Sequence, residues 1–213
     1  MPPMESTMKD LSEECREVPG TRLKDGVYHA AAEILRREGY KSLTMNRIAD
    51  QVGVSRTTLY NHFADATDLY IFVEDRIIQS LLVDVTNIAG SSRSAPKRII
   101  DVANSIVDRV QSDRALTLAL FRRPDSLSKR TDRWIHTRKG MMRALHGIVT
   151  EGIESGEFDE KTNPQAGAGV LLSTMKGLVE VQLILNITDK HMTSDVMNLI
   201  LRGLLPRYDL DQV

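Results

Sequence analysis

Apolar side chains recur at steps of three and four residues through most of the chain. The first such run begins at Leu23 and continues to Leu35, with Gly39 closing it. This spacing is produced by one face of an α-helix, and glycine favours the left-handed conformation in which helices end. Strand-like alternation with hairpin turns does not compete with this pattern in the sequence. The chain is therefore predicted to be all-α.

Two short helices are predicted after the first one. Thr44 precedes the apolar positions of one helix, which Gly53 ends, and Ser55 precedes the other. Threonine and serine side chains accept hydrogen bonds from the free amides of a first helical turn, so both are predicted N-caps. Leu59 and Phe63 fall on the inward side of the second short helix. The three helices together predict a small N-terminal domain.

The rest of the chain is predicted to form longer helices. Residues 1–20 lack apolar periodicity and end in Pro19-Gly20, which is typical of a flexible tail. We therefore expect a tail over residues 1–20, a domain over residues 21–65 and a larger helical domain over residues 66–213. The apolar spacing predicts its helices over residues 65–89, 96–111, 113–121, 127–155, 164–187 and 193–205.

Composition is that of a soluble globular protein. The 213 residues are 41% hydrophobic and 27% charged, enough to bury a sizeable core. Cys15 is the only cysteine, which excludes a cysteine-based zinc site and fits a reducing compartment. No uninterrupted apolar run reaches the roughly 18 residues of a membrane span, and the N-terminus does not have the order of a secretory signal. We expect a cytoplasmic protein without a membrane segment.

Charge is distributed unevenly, although the formal net charge is only −1. Residues 1–20 carry two basic and five acidic side chains, whereas residues 21–63 carry seven basic and four acidic side chains, a net of +3. Nucleic-acid binding depends on such a local excess of positive charge more than on the net charge of the whole chain. The basic excess coincides with the two short helices.

Residues 44–63 have the pattern of a helix-turn-helix. Such a motif crosses two short helices steeply, which requires a small residue at the crossing and a permissive one in the turn. Ala49 and Gly53 supply these residues. Ile48, Val52 and Leu59 are spaced to form the core between the helices. The other face of the second helix is left to solvent or DNA.

Polar side chains on that outer face suit a DNA groove. Arg56 can pair with guanine, while Thr57 and Thr58 can contact base edges or a thymine methyl. Tyr60 and His62 can donate to phosphates. A polar face is also typical of a solvated helix, but the basic excess and the turn glycine favour DNA. We expect DNA contacts from Thr44, Arg47, Ser55, Arg56, Thr57, Thr58, Tyr60, Asn61 and His62.

The stretch LTMNRIADQVGVSRTTLYNHF, residues 43–63, resembles the N-terminal domain of the tetracycline-repressor (TetR) family. The resemblance extends upstream to Arg37-Glu38-Gly39-Tyr40 and downstream to Asp68-Leu69, so that it covers roughly residues 22–75. It implies a three-helix DNA-binding domain joined through a fourth helix to a ligand-binding and dimerisation domain. Thr57 stands where the family often has glycine, and Ala66 where it commonly has lysine. The first change implies an added base contact and the second a lost phosphate contact.

Residues 164–187 and 193–205 are too apolar for singly exposed helices. By the resemblance they build a four-helix homodimer interface, and a dimer would also place two recognition helices about 34 to 36 Å apart on DNA. The alternative is that both are core helices of a monomer.

An apolar effector pocket is expected in the larger domain. Residues 121–143 also hold eight basic and two acidic side chains, which fits an anionic effector, a charged partner or an ordinary solvated face. Aromatic and thioether side chains suit an adaptable cavity, although each also fits ordinary core. The candidate lining residues are Phe121, Trp134, Met141, Met142, Leu145 and Met175.

Catalysis and cofactor binding are not expected. His136 and His146 are about 15 Å apart if they share a helix, too far for one metal ion. Neither a glycine-rich phosphate loop nor a G-x-S-x-G elbow occurs. The predicted function is a transcriptional regulator, as a ligand-responsive repressor that binds a palindromic operator as a homodimer. The alternative is a ligand-independent DNA-binding structural protein, distinguished by whether any ligand releases it from DNA.

Overall fold

The computed structural model describes residues 19–121, 132–187, 189 and 191–205. Over these residues the chain is helical without strands, which confirms the all-α prediction. A 3-10 turn, Tyr40–Ser42, separates the first two helices. The helices are α1 Pro19–Glu38, α2 Met45–Val52, α3 Arg56–Tyr60, α4 Ala66–Ala89, α5 Ala95–Ser112, α6 Arg114–Phe121, α7 Asp132–Glu154, α8 Pro164–Ile184 and α9 Met192–Arg202.

Some helix ends differ from the sequence prediction. Helix α1 begins at Pro19, inside the predicted tail, because proline is well accommodated in the first turn of a helix. Helix α8 ends at Ile184 rather than at residue 187, because Asn186 adopts a left-handed φ of 54° that stops the helix. Gly203 follows the last residue of α9, which ends before the predicted residue 205. Residues 1–18 and 127–131 of the predictions lie outside the described residues.

Two compact units divide the chain, residues 1–73 and 74–213. Helix α4 contributes its first two turns to the N-terminal unit and the remainder to the C-terminal unit. The sequence placed this boundary between residues 65 and 66, before α4 begins. Apolar contacts of the first turns of α4 account for the difference.

These contacts are made by aromatic rings of the N-terminal unit. Tyr70 of α4 is fully buried, and its ring meets the ring of Tyr40 edge-on with centroids 5.4 Å apart. The rings of Phe72 and Phe63 meet in the same way at 5.2 Å. Because edge-to-face contacts between aromatic rings stabilise packing beyond the buried area, the start of α4 belongs to the three-helix core.

In the N-terminal unit, α1 packs on α2, and α2 packs on α3. The approach of α1 to α2 is close at Gly26, where an added Cβ would lie 3.3 Å from Cγ1 of Val52. Side chains from all three helices are removed from solvent at this junction. The core residues include Val27, Ala31, Ile34, Leu35, Ile48, Ala49 and Leu59.

In the C-terminal unit, α5 packs against α6, α7, α8 and α9, and α7 packs along α8. Among the described residues, α8 is the helix long and apolar enough by composition to cross a membrane. However, 44% of that window is buried within the protein, so its apolar side chains also form core. The core residues include Ile99, Val102, Leu145, Val149, Leu171, Met175, Leu183 and Met197.

Two glycines of α7 differ in the space around them. A Cβ on Gly152 would lie 2.3 Å from Cδ2 of Phe158 and 2.8 Å from Cβ of Ala95, whereas a Cβ on Gly147 would meet no atom within 4 Å. Phe158 is 1% exposed and lies in a close-packed core, so its ring has little room to move. Packing therefore requires glycine at 152 but not at 147.

We expect Gly152→Ala to lower the free energy of unfolding by about 1 to 3 kcal/mol, because overpacking displaces side chains and backbone. The matched control Gly147→Ala should raise it by about 0.4 to 1 kcal/mol, because alanine restricts the unfolded chain. Urea unfolding followed by circular dichroism measures both values. Equal stabilities of the two variants would contradict this account.

Candidate DNA-binding and effector-binding sites

The turn between α2 and α3 is built around one carbonyl group. The amides of Gly53 and Val54 both donate to the carbonyl oxygen of Ala49, each at 3.0 Å. Gly53 has a φ of 74°, a conformation that side chains disfavour, and Ala49 is buried at the helix crossing. The predicted roles of these two small residues are confirmed.

Both short helices carry the predicted N-caps. The Thr44 hydroxyl accepts from the amide of Arg47 at 3.4 Å, and the Ser55 hydroxyl accepts from the amide of Thr58 at 3.0 Å. The hydroxyls of Ser55 and Thr58 also lie 2.8 Å apart and share a hydrogen bond. Hydroxyls engaged in capping have less capacity to read bases, so Thr57 is the more available threonine of α3.

Helix α3 separates an inward side from an outward side. Leu59 is completely buried on the inward side, whereas the Tyr60 side chain is 54% exposed. At 100° per residue, four exposed positions of the α3 stretch fall within an arc of about 140°. These positions are Arg56, Thr57, Tyr60 and Asn61, and exposed His62 follows them.

Charged neighbours distinguish the two arginines of the motif. Arg56 is exposed and forms no salt bridge with the described residues. Arg47 instead pairs with Glu38 at the end of α1: its Nη1 donates to Oε2 at 2.7 Å and its Nη2 to Oε1 at 2.6 Å. These hydrogen bonds lower the pKa of Glu38 to about 2. The nine expected DNA contacts stay a prediction, and of the two arginines among them Arg47 has a carboxylate partner in the described residues.

The start of α4 is capped by residues whose role the sequence did not reveal. The Asp65 carboxylate accepts from the amide of Asp68 at 2.9 Å, and the Asp68 carboxylate accepts from the amide of Ala64 at 3.0 Å. This arrangement resembles a capping box, but the Asp68 carboxylate accepts from the amide of Ala64, one residue before the N-cap Asp65, and not from the N-cap amide itself. Ala66, in the first turn, has no side-chain donor for a phosphate.

The six candidate pocket residues do not share one environment. Leu145 of α7 and Met175 of α8 are buried in the core of the C-terminal unit, and Met142 is half-buried against it. Met141 is also buried. Phe121 is 37% exposed at the end of α6. The side chain of Trp134 lies outside the described residues. The first four therefore form core in this structure, and their role as ligand contacts stays a prediction.

A surface cleft of about 520 Å³ lies between α4 and α5 and contains none of the candidate pocket residues. Charged side chains cross it, with Arg109 donating to Asp84 and Arg93 donating to Asp101, each at 2.5 Å. Such a polar cleft does not suit an apolar effector.

The described part of the basic stretch lies on the outer face of α7. His136, Lys139 and Arg143 are exposed at successive turns of this helix. Neither Lys139 nor Arg143 forms a salt bridge with the described residues. Arg138 is half-buried and has an interaction within the protein. Arg122, Arg123, Lys129, Arg130 and Arg133 have no described side chain.

Helix α8 exposes apolar residues on the side that faces away from the core. Val170 is 51% exposed, Val181 is 39% exposed and Ile184 is 60% exposed. Between them lies Gly177, where an added Cβ would meet nothing within 4 Å. In α9, Leu199 is 65% exposed. Both predicted interface helices therefore present apolar surface to solvent in the single chain.

Residues 27–71 match the sequence profile described as "Bacterial regulatory proteins, tetR family". This segment of the chain is similar to the DNA-binding domain of the TetR family. The match spans α1 to the start of α4 and includes the complete helix-turn-helix. The predicted resemblance and the assignment as a DNA-binding transcriptional regulator are confirmed.

Relatives with known names are also regulators. The "Fatty acid metabolism regulator protein" of Bacillus subtilis (strain 168) is 26% identical over 174 residues, 81% of this chain and 82% of that protein. The "HTH-type transcriptional activator FasR" of Mycolicibacterium smegmatis is 30% identical over 84 residues, 39% of this chain and 38% of that protein. The second similarity is confined to a shorter segment.

Two solved structures of regulators have the same fold. The fatty acid degradation regulator FadR from Bacillus halodurans superposes with a TM-score of 0.72 at 19% identity, covering 90% of this chain and all of that one. FadR from Bacillus subtilis in complex with stearoyl-CoA superposes with a TM-score of 0.70 at 22% identity, covering 84% of this chain and 98% of that one.

Proposed function

We propose that this protein is a cytoplasmic, homodimeric repressor whose N-terminal unit binds a palindromic operator and whose C-terminal unit binds a fatty acyl-coenzyme A that releases the operator. The single observation that carries the DNA-binding part is the outer face of α3, where Arg56 is exposed and has no partner among the described residues. A guanidinium that is not engaged within the protein is free to make a bidentate pair with guanine in the major groove.

Selection from a random pool of DNA duplexes should enrich a palindromic site. Arg56→Ala should then reduce the ratio of the affinities for that site and for a scrambled duplex by about 5- to 150-fold. The matched control is Arg143→Ala, which removes an exposed, unpaired arginine of the C-terminal unit and should leave DNA affinity unchanged. Fluorescence anisotropy measures both. A pool that returns no palindromic enrichment would refute operator binding.

The homodimer is supported by the exposed side of α8. Val170, Val181 and Ile184 lie on one face of this helix, and an apolar surface of this kind is typical of a contact with another chain. Gly177 between them gives space for the backbone of a partner helix to approach closely. A two-fold symmetric pairing of α8 and α9 would bury these side chains and present two copies of α3 to the two half-sites of a palindrome.

We expect the protein to sediment as two 23.9 kDa chains in the micromolar range. The double variant Val181→Glu/Ile184→Glu should sediment as one chain and lose operator binding, because unpaired carboxylates are costly to bury. Val83→Glu is the matched control, since Val83 is 58% exposed on α4. Analytical ultracentrifugation decides the question, and a single-chain mass for the unmodified protein would rule out the dimer.

An acyl-coenzyme A effector is supported by the chemistry of α7 and by the named relatives. Leu145 and the partly buried Met142 of α7 belong to the same core as the flexible Met175 of α8. Thioether side chains adapt to the shape of an inserted acyl chain. The outer face carries Lys139 and Arg143, which suit the phosphates of a coenzyme A moiety. One of the similar structures holds stearoyl-CoA.

Adding stearoyl-CoA should weaken operator affinity by about 5- to 150-fold, whereas coenzyme A and stearate alone should have less effect. Lys139→Glu/Arg143→Glu should weaken stearoyl-CoA binding by about tenfold or more, because two charge-assisted contacts are lost. Lys161→Glu is the control at an exposed lysine outside α7. A DNA complex insensitive to stearoyl-CoA would contradict this effector. Insensitivity to every ligand class would support the ligand-independent alternative.

A further inference from the structure

A salt bridge joins the end of α1 to the first turns of α2. Glu38 is the last residue of α1, and Arg47 lies nine positions later, beyond the turn at Gly39. Two parallel hydrogen bonds of 2.6 and 2.7 Å connect the guanidinium to the carboxylate. Nη1 of Arg47 also donates to the carbonyl oxygen of Ser42 at 3.3 Å. The Arg47 side chain of α2 is therefore bonded both to the end of α1 and to the 3-10 turn.

The backbone of this corner contains few constraints of its own. Gly39 has a φ of 77°, and the 3-10 turn is held by the bonds from Ser42 to Gly39 and from Leu43 to Tyr40, at 3.3 and 3.0 Å. These bonds are local and do not reach α2. The planar, bidentate geometry of an arginine–carboxylate pair fixes orientation as well as distance. The pair is therefore suited to define the direction in which α2 leaves α1.

The direction of α2 determines that of α3. The backbone amides of Gly53 and Val54, in the turn before α3, both donate to the carbonyl oxygen of Ala49 in α2. These hydrogen bonds connect α2 to the turn that leads into α3. A change in the orientation of α2 is consequently transmitted to the outer face of α3. Arg47 can influence base recognition in this way without touching DNA.

We propose that Arg47 is a positioning residue for DNA binding, which acts by holding α2 on Glu38 and does not contribute its charge to the phosphate backbone. The inference rests on the DNA-binding function described above, and it replaces the expectation that Arg47 contacts DNA directly. Both side chains are 43% exposed, so they are accessible to a phosphate. The bidentate carboxylate is the partner with which such a phosphate would have to compete.

A positioning role and a phosphate-binding role of Arg47 predict opposite effects on DNA affinity when its partner Glu38 is removed. If Arg47 positions α2, removal of Glu38 disturbs the same geometry as removal of Arg47. If Arg47 binds phosphate, removal of Glu38 frees the guanidinium and strengthens DNA binding. The salt dependence also differs, because each phosphate contact contributes about 0.9 to the slope of log affinity against log salt concentration.

The experiment measures affinity of the full chain for the selected operator over a series of KCl concentrations. We expect Arg47→Ala and Glu38→Ala each to weaken binding by about two- to fivefold with an unchanged salt slope. The double alanine variant should be no weaker than either single variant. The reversed pair Glu38→Arg/Arg47→Glu should restore most of the affinity. Arg56→Ala is the control for a direct contact.

Hydrogen exchange of the free protein provides a measurement that does not depend on an operator. Arg47→Ala should increase amide exchange across residues 45–60, and the reversed pair should reduce it again. Unchanged exchange would overturn the proposal even if the DNA-binding function itself failed. It would also be overturned by a lower salt slope for Arg47→Ala, by tighter binding for Glu38→Ala, or by a reversed pair that binds worse than Arg47→Ala.

The pH dependence of thermal stability gives a further test of the salt bridge between Glu38 and Arg47. The hydrogen bonds from Arg47 lower the pKa of Glu38 from 4.5 to about 2. A carboxylate with a depressed pKa contributes stability above its unfolded-state value and loses it as the pH falls towards its folded-state value. The melting-temperature difference between the protein and Glu38→Gln should therefore be largest at neutral pH and shrink between about 4.5 and about 2. A constant difference would count against the pair.

Discussion

The carbonyl oxygen of Ala49 is the point on which the DNA-binding unit depends. It accepts hydrogen bonds from two successive amides, those of Gly53 and Val54, and this double contact sets the angle between α2 and α3. The contact requires a left-handed residue, and Gly53 provides it with a φ of 74°. With the angle fixed, Leu59 is directed into the core and Arg56 to the outside. The recognition surface is therefore a consequence of backbone geometry before any side chain meets DNA.

The sequence predicted the features that depend on neighbours within a few positions. The caps Thr44 and Ser55 act on amides three residues later, so a short pattern contains the complete interaction. The pair between Glu38 and Arg47 spans nine positions and a turn, and no periodicity in the sequence indicates it. The contact between Gly152 and Phe158 spans six positions and was equally hidden, because a helical pattern does not show that the ring of Phe158 requires glycine at this position.

The apolar composition of α8 illustrates why sequence alone left the larger domain ambiguous. Leu171 is completely buried, whereas the preceding Val170 is 51% exposed, yet both are equally apolar. A helix that serves a core on one side and an interface on the other has apolar residues all round, as does a helix buried completely in a core. The same ambiguity applies to the candidate pocket. Met175 is predicted as ligand contact and observed as core, and a flexible core side chain can serve both purposes in turn.

Charge in the N-terminal unit leads to a conclusion about specificity. Several of its basic side chains are engaged internally: Arg36 and Arg37 pair with Glu33, and Arg47 pairs with Glu38. Of the described basic residues there, Lys24, Lys41 and Arg56 have no such partner. Because non-specific affinity for DNA grows with each phosphate neutralised, we expect one unit of this kind to bind arbitrary DNA weakly. Base contacts from α3 would then contribute a larger share of the affinity, and in the proposed dimer the second half-site would be required for tight binding. In the proposed mechanism, an effector would therefore have only to disturb the alignment of the two half-sites and would not have to overcome a strong electrostatic attraction.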